Sequence, residues 1–210
     1  MLFRSWLETQ ELELTRKVSA KEVFKDIMRS QLETGMPYLA FKCIINKYNP
    51  NKHAGMIPAV NLCVESFSNV KPDQEAHTCN LVSINLANTT EETLPEVCEM
   101  SVRILDNGID LTEPPVAESK THNNLYRTIG VGSMGFADWL AKKGLTYTKG
   151  KEEANSLFED IAYHTFKASA DLAVKRGAYA AFEGSEFSQG KILCHDGAWF
   201  EENSKEQIGR

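Results

Sequence analysis

The sequence predicts an α/β fold that is incomplete in this chain. Segments with the composition of strands alternate with amphipathic helical segments, a pattern that is typical of α/β proteins. The strong strands are too few for a closed barrel or for a complete doubly wound sheet. The final residues, SKEQIGR, have the pattern of another helix start, so we expect the chain to be part of a larger fold.

The first half of the chain predicts one helix and two strands. Ser19 and Glu22 form a capping-box pattern that predicts the start of a helix, and Gly35 predicts its end. MPYLAFKCII, residues 36–45, predicts a strand because aromatic and aliphatic residues run together after a turn signal. HTCNLVSINLAN, residues 77–88, predicts a second strand, which we expect to be buried.

The second half of the chain predicts three helices. Helical spacing of apolar residues predicts one from about Thr93 to Asn107, before the break LTEPPV. FADWLAKKG predicts a short helix, and a long one is predicted from about Lys151 to Arg176 with Gly177 as its C-cap. The predicted apolar faces are Leu94, Val97, Cys98, Ser101, Ile104 and Leu105 in the first helix, and Leu157, Phe158, Ile161, Ala162, Phe166, Ser169 and Ala173 in the last.

The composition predicts an ordinary soluble, cytoplasmic protein. The 210 residues carry a net charge of −6 and no basic stripe, which argues against direct nucleic-acid binding. No apolar run approaches the roughly 20 residues that span a membrane, and the N-terminal residues lack a signal-peptide pattern. The cysteines show neither CxxC pairs nor zinc-ligand spacing, so we expect a reducing environment and no metal site.

GVGSMG, residues 130–135, matches the G-x-G-x-x-G pattern of dinucleotide-binding proteins. That fingerprint requires a buried strand before the glycines, and the preceding THNNLYRTI is a poor buried strand. We therefore expect a tight, glycine-rich start of a closely packed helix and no bound cofactor. The less favoured alternative is a nicotinamide-binding protein that uses Gly130, Gly132 and Gly135.

NLCVE places an amide, a thiol and a carboxylate at alternate positions. In an extended segment, Asn61, Cys63 and Glu65 would share one side, and Leu62 and Val64 would pack on the other. Grouping such side chains costs stability unless the site is used. The stretch therefore indicates a candidate catalytic site, with a satisfied polar turn as the competing interpretation.

The residues alone leave a cysteine hydrolase open at this site. A thiol nucleophile needs a base, and His53 and His77 flank the segment. The remaining cysteines are interpreted, on the residues alone, as small core thiols. They are Cys43, Cys79, Cys98 and Cys194.

Three motifs resemble those of the large (α) subunit of class I ribonucleotide reductases. NLCVE resembles the N-L-C-x-E motif of that family, and TCNLVSINLAN resembles the next element. RTIGVGSMGFADWLAKKGLTY resembles the glycine-rich helix start that follows. The order and spacing of the three agree with the family, and the resemblance extends from about Ser19 onward.

The resemblance implies that the chain is part of a ten-stranded α/β barrel, incomplete in this chain. Residues 1–210 would be the central part of the catalytic barrel domain, with residues 58–70 as its finger loop and no separate second domain. The implied activity is radical-based reduction of ribonucleotides to deoxyribonucleotides, as a portion of a ribonucleoside-diphosphate reductase α subunit. We expect this portion to act only with complementary chains, as one product of a split gene or as a fragment.

The resemblance also implies roles for four residues. Cys63 would carry a transient thiyl radical that removes the 3′-hydrogen of the substrate. Glu65 would accept the 3′-OH proton and assist loss of the 2′-OH as water, while Asn61 would hydrogen-bond the ribose hydroxyls. Cys79 would be one half of the dithiol that reduces the 2′ position, and we expect its partner cysteine outside this chain.

The implied partners are the remaining α-subunit portions and a small metal-containing β subunit that supplies the radical. The substrate would be a ribonucleoside diphosphate, with triphosphates left open, and an external dithiol such as thioredoxin or glutaredoxin would restore the thiols. One alternative is a class II reductase fragment that uses adenosylcobalamin. Its motif more often reads N-P-C-G-E, so Leu62 and Val64 favour class I. A catalytically inert assembly fragment is the other alternative.

Overall fold

The structure is a computed structural model that describes residues 16–191. These residues fall into two compact units, which divide between Ala40 and Phe41. The terminal SKEQIGR and Cys194, interpreted above as a helix start and a core thiol, lie outside the described residues. Across residues 16–191, no helix is long and apolar enough to cross a membrane.

The first unit contains helix α1 (Ala20–Thr34), which begins and ends where the sequence predicts. Its first turn is closed by backbone groups, because the Glu22 N–H donates to the Ser19 carbonyl oxygen at 3.1 Å. The Ser19 side chain makes no capping hydrogen bond, so the predicted capping box is not formed. Gly35 ends the helix in the left-handed conformation, with a φ of 78° that glycine adopts at little cost.

The strand predicted over residues 36–45 is wrong. Residues 36–41 have no regular structure, and helix α2 (Lys42–Lys47) follows. The Asn46 side chain donates to the Ile57 carbonyl and accepts from the Ile57 N–H, both at 2.8 Å, so α2 is tied to the loop that follows it. A short apolar run does not by itself distinguish a strand from a helix, and this segment finds no partner strand in the described chain.

In the second unit, helices alternate with a parallel pair of strands, which confirms the α/β class. After α2, the regular elements are β1 (Leu81–Asn85), α3 (Leu94–Leu111), α4 (Ala117–Tyr126), β2 (Gly130–Met134), α5 (Phe136–Lys142) and α6 (Lys151–Arg176). Short helical turns occupy Lys52–Ala54, Leu86–Asn88 and Phe187–Gln189.

Three of these helices confirm the sequence predictions, and one was missed. α3, α5 and α6 lie where their patterns predict, and α6 ends at Gly177 with a φ of 91°. The sequence does not predict α4, because the side chains that α4 buries are mostly polar. They are Ser119, His122, Asn123 and Tyr126.

β1 and β2 pair in parallel, from Leu81 opposite Gly130 to Asn85 opposite Met134. A Cβ at position 130 would lie 2.5 Å from Cδ2 of Leu81, so a larger residue there would force the half-exposed Leu81 side chain to move. GVGSM is therefore itself a strand, and the dinucleotide fingerprint, which needs its strand before the glycines, is not formed. Within the described chain each strand keeps one unpaired edge, as expected for an incomplete sheet.

The core lies between β1, α5 and the helix pair α3 and α6, which pack along each other. Cys98 is fully buried, which confirms its interpretation as a core thiol. On α3, Val102 is buried whereas Ile104 is 55% exposed, so the buried face differs by one position from the predicted one. The buried cluster consists of Ile84, Leu86, Leu94, Cys98, Trp139, Leu140 and Ile161.

Candidate functional site

NLCV forms a tight turn, so the extended segment expected here is wrong. The Val64 N–H donates to the Asn61 carbonyl oxygen at 3.1 Å, with Leu62 and Cys63 at the centre of the turn. The Asn61 side chain drives this conformation, since its Oδ1 accepts the N–H groups of Glu65 and Ser66 at 3.1 Å and 3.0 Å. Such local side-chain bonds compete with strand formation.

The turn still brings two of the predicted groups together. The Nδ2 of Asn61 donates a hydrogen bond to Oε1 of Glu65. Cys63 lies between these two residues in the sequence, and its thiol is exposed. Leu62 is 89% exposed, so its predicted packing on an apolar side is not formed. The turn therefore presents an accessible thiol two residues from a carboxylate that an amide holds in place.

Val64 adopts a backbone conformation that β-branched residues avoid. Its φ is 61°, within the left-handed region that favours glycine. A residue held there costs on the order of 1–3 kcal/mol, and such residues concentrate at functional sites. The strain at Val64 therefore supports a function for the turn that contains Cys63.

Two buried serine–histidine pairs lie next to the exposed turn. The Ser66 hydroxyl lies 2.6 Å from Nε2 of His77, and the Ser68 hydroxyl lies 2.8 Å from Nε2 of His122. Both serines are 7% exposed and His122 is fully buried. No sequence motif predicts these pairs, because 54 residues separate Ser68 from its histidine and no local pattern links them.

Cys79 lies in a second segment, immediately before β1. Its neighbours are anchored: Thr78 donates to the Asn123 side chain, and the Asn80 side chain donates to the Thr128 carbonyl oxygen at 3.0 Å. The Cys79 thiol itself is exposed, so the interpretation of this residue as a buried core thiol is wrong. No hydrogen bond joins Cys79 to the turn in the described part of the chain.

A second interpretation of a cysteine is also wrong. Cys43, interpreted as a core thiol, is exposed at the start of α2. Of the two histidines considered as a base for Cys63, His77 is hydrogen-bonded to Ser66, and the ring of His53 lies close to Gly184. In residues 16–191, no group of three or more His, Cys, Asp or Glu side chains is arranged to hold a metal ion.

Burial keeps both histidines of the serine–histidine pairs neutral. It lowers the pKa of His77, and burial together with the neighbouring His77 ring lowers the pKa of His122 to about 4. The two ring centroids are 4.9 Å apart, so charging both rings would place two cations in contact. Both imidazole rings of the serine–histidine pairs are therefore neutral at neutral pH.

The lowered pKa of His122 predicts a loss of stability in acid. An unfolded histidine titrates near 6.5 and the folded one near 4, so the unfolded state binds more protons between these values. The free energy of unfolding should fall as pH decreases through this window, by on the order of 3 kcal/mol from His122. An NMR titration of the His122 ring checks this directly, and a midpoint near 6.5 would contradict it.

The family of the chain follows from a comparison with known proteins. The family model described as the ribonucleotide reductase barrel domain matches residues 3–208. The chain belongs to the ribonucleotide reductase family. This match confirms the resemblance that its three sequence motifs indicate.

Relatives of this ribonucleotide reductase chain are named α subunits. It is 55% identical over 192 residues to the ribonucleoside-diphosphate reductase subunit alpha of Synechocystis sp., across 91% of this chain and 25% of that protein. The corresponding subunit of Chlamydia trachomatis is 36% identical over 194 residues, across 89% of this chain and 18% of that protein. The corresponding subunit of Helicobacter pylori is 33% identical over 231 residues, across 82% of this chain and 29% of that protein. The chain thus spans less than a third of the length of these relatives.

Proposed function

We propose that this chain is the central part of the catalytic barrel of a ribonucleotide reductase α subunit. It would reduce ribonucleotides to deoxyribonucleotides together with the remaining parts of that subunit. The turn on which Asn61 holds the Glu65 carboxylate, two residues from the exposed Cys63, carries this proposal. The unclosed β1–β2 sheet is compatible with a barrel that other strands complete. The ten strands of that barrel, and residues 58–70 as its finger loop, are part of this proposal.

Cys63 acts first, as a thiyl radical that takes the hydrogen atom from C3′ of the ribose. An S–H bond forms, the C3′–H bond breaks, and the unpaired electron passes to C3′. The reacting atoms must be held close and aligned for this step, which a turn fixed by local hydrogen bonds favours. At the end of the cycle, the Cys63 thiol returns a hydrogen atom to C3′.

Glu65 is the proposed base for the 3′-OH. Its carboxylate accepts that proton while the 2′-OH takes a proton from the thiol pair that contains Cys79 and leaves as water, a step that requires the carboxylate within hydrogen-bond reach of the ribose. Asn61 hydrogen-bonds the ribose hydroxyls in this proposal. Its bonds to the Glu65 carboxylate and to two backbone N–H groups give it a second role, that of fixing the base.

Cys79 provides one of two thiols that reduce the 2′ position. The pair supplies two electrons and two protons, so that ribonucleotide and dithiol become deoxyribonucleotide, water and disulfide. The exposure of Cys79 supports contact with a second thiol from another part of the α subunit. An external dithiol such as thioredoxin or glutaredoxin would then reduce the disulfide.

Other chains complete the proposed enzyme. We infer that a small metal-containing subunit generates the radical, as in the class I family that the NLCVE motif resembles. The relatives from Synechocystis and Chlamydia are named ribonucleoside-diphosphate reductases, which favours a diphosphate substrate here. A cytoplasmic location fits this set of partners.

Replacing Glu65 with glutamine tests the proposed base. The amide keeps the shape of the carboxylate but does not accept the proton, so turnover of the assembled enzyme should fall roughly 10²–10⁴-fold. The KM for substrate should change little. The control, Glu96→Gln, alters an exposed carboxylate on α3 and should leave turnover unchanged. A loss of less than threefold in the Glu65 variant would remove this residue from the acid–base role.

A further inference from the structure

We propose that the Ser66–His77 and Ser68–His122 pairs are a positioning device that holds the finger loop in its reactive geometry. This inference rests on the proposed function, because the geometry at stake is that of Glu65 and Cys63. His77 and His122 act through the loop and touch no substrate. The two serines connect them to the turn.

Ser66 links the reactive turn directly to His77. It follows Glu65 in the chain, and its N–H donates to Oδ1 of Asn61 at 3.0 Å. Its hydroxyl is bonded at 2.6 Å to Nε2 of His77. A movement of Ser66 would therefore displace the amide that holds the Glu65 carboxylate. The short connection makes the position of His77 a determinant of the position of the proposed base.

The second pair fixes the loop two residues further along. Ser68 is bonded to Nε2 of His122 at 2.8 Å and lies 3.3 Å from the hydroxyl of Thr128. His122 belongs to α4, and Thr128 lies just before β2. Asn69 extends the anchor, since its amide donates to the Asn51 carbonyl oxygen at 2.8 Å. The loop is thus held by groups far apart in the sequence.

One of the two rings keeps an unsatisfied polar atom. Nδ1 of His77 is buried and has no hydrogen-bond partner in the described part of the chain, whereas His122 also interacts with the backbone of Asn69. A buried polar atom without a partner costs stability, and an apolar side chain of similar size would avoid that cost. Selection for stability alone would not favour a histidine at such a position. The Nε2 bonds to the two serines are what the rings add.

Protonation should weaken the device. Each charged ring would donate from both nitrogens, and the two centroids are only 4.9 Å apart. The titratable groups that face the pair are Tyr126, whose ring lies 5.0 Å from that of His122, and Glu75, whose carboxylate lies 3.5 Å from the Tyr126 hydroxyl and is paired with Lys71 at 3.4 Å. Because Glu75 is already paired with Lys71, it offers little compensation to charged histidines.

Two variants of His77 test the proposal in the assembled enzyme. His77→Phe removes the bond to Ser66, and we expect kcat to fall at least tenfold with KM changed less than twofold. His77→Gln can still bond the Ser66 hydroxyl, so it should recover most of the lost kcat and shift the acid limb of the pH profile. His164→Phe is the matched control, a partly buried histidine on α6, and should leave kcat unchanged.

Hydrogen exchange of the assembled enzyme provides a readout independent of activity. In His77→Phe, amides of residues 61–68 should exchange at least tenfold faster, while those of α6 keep their wild-type rates. Unchanged exchange at 61–68, or faster exchange there with an unchanged kcat, would overturn the proposal. If exchange at 61–68 rises as expected but the assembly with the wild-type chain shows no turnover, the anchoring is supported and the proposed function is contradicted instead.

Discussion

Cys63→Ser should abolish turnover of the assembled enzyme. Serine has nearly the same size and shape as cysteine, and the side chain is exposed, so the fold should be retained. A hydroxyl does not form a usable radical here, so hydrogen abstraction from C3′ has no acceptor. The effect should exceed the roughly 10²–10⁴-fold losses typical of acid–base groups. Deoxyribonucleotide formation, measured by chromatography of labelled product, checks the expectation.

Cys43→Ser is the matched control for this variant. Cys43 is likewise an exposed cysteine, but it lies on α2 outside the reactive turn. Its replacement should leave turnover and the thermal unfolding midpoint close to the wild-type values. Measurable product from Cys63→Ser, with the control equally active, would remove Cys63 from the radical role.

Cys79→Ser should separate radical initiation from reduction. Cys63 remains, so the C3′ hydrogen can still be abstracted, but reduction at C2′ needs two thiols to supply two electrons. The substrate radical then lacks its reductant and should decay to free base and a damaged sugar. Deoxyribonucleotide output should fall to a trace. Product analysis with nucleotide labelled in the base and in the ribose distinguishes these outcomes.

Comparison with Cys63→Ser makes this experiment decisive. Cys63→Ser should release no base, whereas Cys79→Ser should release base at the cost of substrate. Normal deoxyribonucleotide output by Cys79→Ser over many turnovers would show that its exposed thiol has no redox role.

Elements with strong local signals were predictable from the sequence. α1 has a glycine at its end whose left-handed conformation a side chain would resist, and α6 has a long periodic stripe followed by Gly177. α3 buries Leu94, Cys98 and Leu105 at the spacing that its pattern predicts. In these helices, local propensity and burial favour the same structure, so the sequence alone was sufficient.

Elements that depend on distant partners were not predictable. The run at residues 36–45 has the composition of a strand, but a strand needs a neighbour, and the structure places α2 there instead. α4 carries little apolar pattern, because it buries His122 and Asn123 in hydrogen bonds with residues from earlier loops. Such bonds join side chains across more than 40 residues and leave no periodic signal.

The candidate site shows the same division. The motif identifies Asn61, Cys63 and Glu65, but alternate side chains share one side only in an extended segment. The structure brings Asn61 and Glu65 together by a turn, because Oδ1 of Asn61 accepts two backbone N–H groups. No sequence motif predicts the two serine–histidine pairs next to the turn.

A competition between substrates tests the central claim most directly. The chain, combined with the remaining α-subunit portions and the radical-generating subunit, would receive a mixture of ribonucleoside diphosphates with hydrogen or deuterium at C3′. The chain alone and the Cys63→Ser assembly serve as controls and should consume neither. If a thiyl radical at Cys63 abstracts the 3′-hydrogen, the unreacted substrate becomes enriched in deuterium as turnover proceeds. Product formation without enrichment, or with Cys63 replaced by serine, would contradict the account.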